Sequence, residues 1–496
     1  MSDTLVITEA VVPPPPVALP YSFSRRGGVL LRGGDCLHRP DAPLDALLEV
    51  QRLVPSVGFV PVSADAFEAA LSATYGQGAA QAAEFEMNET DLAALADSAA
   101  AVDDLLDARD DSPVIRLINA LLLEAVKEGA SDVHVETTER KLVVRFRIDG
   151  VLRDVVEPQR ALAPLLVSRI KVMAKLDIAE KRVPQDGRVT LRIGGRDVDA
   201  RVSTIPTQHG ERVVLRLLEK GSLRLDLAGL GMSERDQQVV GRLLERPHGM
   251  LLVTGPTGSG KTTTLYAALT RLNDRKRNVM TVEDPIEYEL PGVAQTQVNA
   301  RTDMTFARGL RAILRQDPDV IMVGEIRDHE TAEVAVRSAM TGHFVLSTLH
   351  TNSAIGSVTR LIDMGVERYL LAPMLVGVAA QRLVRQLCTH CRWQDTATEA
   401  DARLLGGELK VGKRVWRRGS GCDQCGGEGY RGRAALYEVI AVDDTLQAMI
   451  HDGASEAKLE KEARRTAPSL LEDGVEKVRA GVTTVEEVAR VTREDA

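Results

Sequence analysis

Apolar and polar residues follow two different rhythms along this chain, and the change of rhythm divides it. Val114, Ile115, Leu117, Ile118, Leu121 and Leu122 recur at helical spacing behind Ser112-Pro113, a cap and first-turn pair that starts a helix. Period-two stretches follow at 132–136, at 142–148 before the Asp149-Gly150 turn, at 188–193, and after Gly194-Gly195 at 196–202. Such alternation predicts a sheet with one buried and one solvated face, and the solvated face is rich in arginine. Beyond Leu225 the alternation stops. Short apolar runs at 250–254, 278–282, 320–323 and 344–348 are separated by helix-length segments, the pattern of buried, mainly parallel strands in an α/β fold.

The flanking segments complete the division. Residues 1–20 carry Pro13-Pro14-Pro15-Pro16, which predicts a flexible, extended tail. Residues 21–78 predict a small α/β module with apolar periodicity through 44–50 and 65–71; Cys36 and His38 lie close together there, and two ligands cannot close a metal site. Residues 79–111 are Ala-rich and acidic and predict a linker. A second, α+β domain is expected over 112–222 and the α/β domain over 225–496.

Composition narrows the function. A chain of 496 residues is too long for one core, so about three domains are expected. The net charge of −9 and an aromatic content of 3% argue against a chain-wide nucleic-acid surface. The longest apolar run, 369–380, contains Pro373 and is too short to span a bilayer. The first residues lack a basic segment leading into an apolar core, so no secretory signal is expected. These readings predict a cytoplasmic protein, any membrane association of which would have to come through a partner.

The chemistry centres on Gly255-Pro256-Thr257-Gly258-Ser259-Gly260-Lys261-Thr262, followed by Thr263, between an apolar strand and a helix. This is a phosphate-binding loop in the required context. Its glycines let backbone N–H groups face phosphates, Lys261 reaches the β- and γ-phosphates, and Thr262 binds magnesium. The loop alone predicts a bound nucleotide. Hydrolysis also needs a carboxylate to position water and cations to offset developing charge, and three later strand ends offer candidates for these roles. Glu283 follows 278–282, Glu325 follows 320–323, and His350 follows 344–348, where it can contact the γ-phosphate.

Glu283-Asp284-Pro285-Ile286-Glu287, the stretch 304–319, Gly324-Glu325-Ile326-Arg327-Asp328 and Thr348-Leu349-His350-Thr351-Asn352 resemble the secretion ATPases of type II secretion and type IV pilus machines. The resemblance extends to Gly129-Ala130-Ser131-Asp132-Val133-His134 and Arg145-Phe146-Arg147-Ile148-Asp149-Gly150, and covers about 112–496. It implies a RecA-like ATPase domain with a parallel-rich sheet, and a homo-hexamer in which nucleotide sits between that domain and the arginine-bearing one. Arg201 and Arg216 would then approach the phosphates, and Arg147, Arg311, Arg315 and Arg327 would hold subunit interfaces. Gly324 stands where many phosphate-loop enzymes carry a magnesium-binding Asp, so Thr262 and waters should hold the ion, with Glu283 behind them. Residues 1–90 would dock on the cytoplasmic domain of an inner-membrane platform protein.

Cys388-Thr389-His390-Cys391 and Cys422-Asp423-Gln424-Cys425 are two C-x-x-C pairs separated by 30 residues. Four thiolates at such spacing close a tetrahedral zinc site, and a closed site is structural. The family has such a segment. The resulting expectation is a Mg-dependent ATPase driving type II protein secretion. The alternatives are a type IV pilus extension ATPase, a nucleic-acid translocase and a nucleotide-binding scaffold.

Overall fold

The computed structural model describes parts of residues 19–70, Leu92, and residues 113–193, 196–219 and 226–493. The proline tract of the predicted tail and the Ser112 cap lie outside the described residues. Two compact units change over in sequence at residues 219 and 220.

In the first unit, strands β1 (Val29–Arg32), β2 (Asp35–His38) and β3 (Gly58–Pro61) form a sheet, with β1 antiparallel and β3 parallel to β2. The helix Leu44–Leu53 makes the crossover that a parallel pair requires. Its Ala46 and Val50 pack with Val29 and the buried Cys36. Leu44 and Leu48, one turn apart, are 71% and 55% exposed.

The same unit holds a six-stranded sheet of β4 (Asp132–Thr137), β5 (Leu142–Ile148), β6 (Val151–Val156), β7 (Gln185–Ile193), β8 (Arg196–Thr207) and β9 (Gly210–Glu219), in the order β6-β5-β4-β9-β8-β7. Helices Pro113–Lys127 and Ala163–Met173 contribute Leu117, Leu121, Leu166 and Ile170 to its core. Leu92 is buried there too, so the segment expected to be a linker gives at least one side chain to this core. On the polar face, cross-strand register sets Arg188 beside Arg201, Arg201 beside Arg216, Arg216 beside Asp132 and Asp132 beside Arg147.

The second unit is built on strands β10 (Gly249–Thr254), β11 (Val279–Glu283), β12 (Ala294–Gln297), β13 (Val320–Val323), β14 (Phe344–Leu349) and β15 (Leu375–Leu387). After the small antiparallel pair β16 (Trp393–Thr396) and β17 (Arg414–Arg417) comes β18 (Tyr430–Ala441). The sheet order is β12-β11-β13-β14-β10-β15-β18, parallel throughout except for β15 with β18. Successive residues face opposite sides: Met250 and Leu252 enter one core, Leu251 and Val253 another. Burial on both faces explains why these runs are apolar without alternation.

Two expectations shift. The run 278–282 forms a strand one residue later, because the Asn278 side chain donates to the Gln316 and Asp317 carbonyls and Glu283 takes the last strand position. The apolar run 369–380 divides between the helix Arg368–Met374 and β15. Among the described residues, no helix is long and apolar enough to cross a membrane.

Candidate nucleotide site and cysteine centre

Because β10, β11, β13 and β14 are parallel, their C-terminal ends lie along one edge of the sheet, where open α/β sheets place ligands. The phosphate loop leaves β10 there and turns into the helix Lys261–Leu272. Gly255 has φ +149°, and a Cβ on it would lie 2.4 Å from the Gln381 carbonyl oxygen, so only glycine fits. Gly258 and Gly260 take left-handed φ values of 79° and 87°. No side chain caps the helix at Gly260, which leaves its first N–H groups available to an anion. Pro256, Thr257 and Gly258 form the exposed tip, Thr262 is exposed and Thr263 half-buried. Ser259 is buried with its Oγ unpartnered. An uncapped helix start, a loop without room for a Cβ and an orphaned hydroxyl fit a phosphate chain.

The Lys261 ammonium donates to the Gly255 and Pro256 carbonyls at 2.7 and 3.0 Å. Burial pushes its pKa down to about 8; the Glu325 charge opposes that shift and the Arg382 charge adds to it. Glu325 is forked by Arg327, Nη2 to Oε1 at 2.7 Å and Nε to Oε2 at 2.6 Å, and its Oε2 lies 3.4 Å from the His350 Nε2. The Thr348 hydroxyl donates to the Gly324 carbonyl, and the Ile326 N–H to the Thr348 carbonyl, which fixes the two segments together. Lys261, Glu325 and His350 are thus brought together. Arg327, expected at a subunit interface, is engaged within this chain by Glu325. Arg311 likewise pairs with Glu330, and Arg315 donates to the Arg311 carbonyl.

Glu283 takes the last position of β11. It is 2% exposed, and it accepts from the Tyr266, Thr281 and Gln295 side chains. Burial and the adjacent carboxylate push the Tyr266 phenol pKa up, so it stays a donor. Through these bonds Glu283 ties the helix after the phosphate loop to β11 and β12. Arg201 and Arg216 belong to the other unit, where Arg216 Nε bonds Asp132 Oδ1 at 2.9 Å and Arg147 stands 3.8 Å from Oδ2.

Sequence reasoning missed Gln381 and Arg382. Both are buried on β15, where they interrupt an apolar strand, and that interruption was the available signal. Gln381 Oε1 accepts from Thr264 on the first turn after the loop.

The model of the type II/IV secretion system protein family matches residues 107–490. This chain belongs to that family. A second family model, for a domain of GSPII protein E, matches residues 18–75. This secretion-family chain is 58% identical over 492 residues to the type II secretion system protein E of Pseudomonas aeruginosa, covering 97% of both chains. It is 53% identical over 487 residues to the type II secretion system ATPase E of Vibrio cholerae, covering 96% of this chain and 97% of that one. Among solved structures it is similar to the pilus retraction motor PilT with bound ADP, at 26% identity and TM-score 0.53, over 76% of this chain and 97% of that one. The Legionella pneumophila ATPase DotB, at 20% identity and TM-score 0.57 over 76% of this chain and 95% of that one, shares the fold.

The secretion-family chain has a second centre. Its four paired cysteines converge, with all four Sγ atoms within 4.8 Å of one another. Cys388 to Cys422 and Cys422 to Cys425 are 3.7 Å, and Cys391 to Cys425 is 3.9 Å. A tetrahedron with zinc–sulfur bonds of about 2.3 Å has edges of about 3.8 Å, so the cluster fits that ion. Burial raises the Cys425 thiol pKa, but N–H bonds from Cys422 and Gly429 outweigh it and hold the pKa at about 6. Gly426 and Gly427, at φ 55° and 79°, make the turn that brings Gly429 back to the sulfur.

Proposed function

We propose that this chain is the ATP-hydrolysing motor of a type II protein secretion system, powering assembly of a pilus-like fibre and protein export. The observation that carries this reading is the joining of Lys261, Glu325 and His350 at one sheet edge, in a chain with full-length relatives named for type II secretion. The match over 18–75 to a domain of GSPII protein E favours type II secretion over a type IV pilus extension ATPase.

Each residue then has a role. The backbone N–H groups of the loop between Gly255 and Thr263, Pro256 having none, and the Lys261 ammonium bind the phosphates. Glu325, oriented by Arg327 and His350, accepts a hydrogen bond from the attacking water, and His350 is placed to meet the γ-phosphate. Arg201 and Arg216 are assigned to the phosphates by their match to the family's motifs. Thr262 would hold magnesium, which when bound offsets phosphate charge, and Cys388, Cys391, Cys422 and Cys425 would hold a structural zinc. The working form is a homo-hexamer in the cytoplasm, docked through its N-terminal module on an inner-membrane platform protein. The exposed pair Leu44 and Leu48 supports that docking role.

Replacing Lys261 with Ala in a secreting cell tests the motor assignment. Export should stop while the variant accumulates with an unchanged circular dichroism spectrum; normal export would refute the assignment.

A further inference from the structure

Arg382 is 8% exposed on a strand whose preceding residues, 375–380, are wholly apolar. A cation in such a place is costly unless its N–H groups are satisfied. Its Nη2 donates to the Asn352 carbonyl at 2.8 Å and lies 3.3 Å from the Asn352 Oδ1, while Nη1 donates to the Gln381 carbonyl at 3.1 Å. Nη1 also lies 3.2 Å from the position a Cβ would take on Gly255, so the guanidinium abuts the first residue of the phosphate loop. Gly255 holds the Lys261 ammonium, and Asn352 follows His350 by two residues.

We propose that Arg382 is a positioning residue for ATP hydrolysis, its guanidinium fork bonding the Asn352 segment and the Gln381 carbonyl while it packs against Gly255 at the back of the phosphate loop, so that His350 and Lys261 share one frame. This rests on the hydrolytic reading above. A lysine cannot replace the fork, because its ammonium is a single point and the acceptors belong to different chain segments. The fold does not hang on this contact: the Thr254 hydroxyl lies 2.7 Å from that of Thr351 and accepts from its N–H, a separate tie between the same segments. Arg382→Lys should therefore fold and bind nucleotide while holding His350 less firmly.

The test is a double-mutant cycle on the full-length chain, using Arg382→Lys, His350→Ala and both together, with single-turnover ATP hydrolysis and equilibrium binding of ATP. Arg382→Lys alone should lower the hydrolysis rate about tenfold or more, with the ATP dissociation constant within about threefold of the parent. In the His350→Ala background the same change should cost less than about threefold, because the group it positions is gone. Equal losses in both backgrounds, or a loss confined to ATP affinity, would overturn the proposal. A parent chain that binds ATP without hydrolysing it would instead overturn the functional reading, and this proposal with it.

Discussion

The Glu325 carboxylate and the His350 imidazole meet at 3.4 Å across the ends of two neighbouring parallel strands. Neither residue belongs to its strand: each follows the last strand residue by one or two positions, where the backbone is free to turn side chains toward the phosphate loop. Arg327 takes one edge of the carboxylate, which leaves its remaining lone pairs to accept from water. On the proposed function, the loop would supply binding and this pair the means of hydrolysis.

Nucleotide affinity should fall as pH rises above about 8. Lys261 is held to about 8 in the free chain, against an ordinary value of 10.5, because burial disfavours its charge. Phosphate binding restores the charged form, so the complex takes up a proton wherever the free lysine has lost one. The ATP dissociation constant should be flat below pH 7 and rise by up to tenfold per unit above 8. Titration calorimetry in buffers of different ionisation enthalpy checks this; pH-independent affinity from 7 to 9.5 with no proton uptake would contradict it.

Tyr266→Phe should destabilise the second unit by about 2 kcal/mol, because it removes one donor from the buried Glu283 carboxylate and leaves Thr281 and Gln295. ATP affinity should change less than threefold, since neither partner touches the loop's phosphate-facing side. Thermal unfolding and nucleotide binding measured on the same preparation separate the two effects. A large loss of affinity at unchanged stability would place Glu283 at the reacting centre and contradict this prediction.

The contrast between Glu283 and Glu325 marks how far the sequence could be read. The succession of parallel strands, the phosphate loop and the position of Glu325 and His350 at strand ends follow from motif and periodicity, because a parallel sheet sends every strand end to one edge; the order of the strands in the sheet does not. Glu283 has the same apparent address, yet its strand runs one residue further and turns it inward. Continuing the strand by one residue keeps Glu283 in the pleat, pointing away from the side of Val282, and nothing local in the sequence fixes where the strand ends. Arg382 was hidden for the opposite reason: its partners, Asn352 and Gly255, are distant in sequence and adjacent only through strand pairing. The arginine row on the first unit's sheet was legible as alternation, but its Asp132 ion pairs needed the register of β4 between β5 and β9.

Metal analysis of the purified chain should find about one zinc per molecule. Cys425→Ser should lower that content and the melting temperature together, since the Cys425 sulfur also receives the Cys422 and Gly429 N–H groups. A folded protein with four reduced cysteines and no bound metal would contradict the assignment.

The most direct measurement is ATP turnover by Glu325→Gln beside the parent chain. The amide keeps the size of the side chain but gives up one acceptor oxygen and its charge, so hydrolysis should fall by about a hundredfold or more while ATP still binds. Turnover at the parent rate would contradict the central claim that this carboxylate, set beside Lys261 and His350, makes the phosphate loop a hydrolytic site.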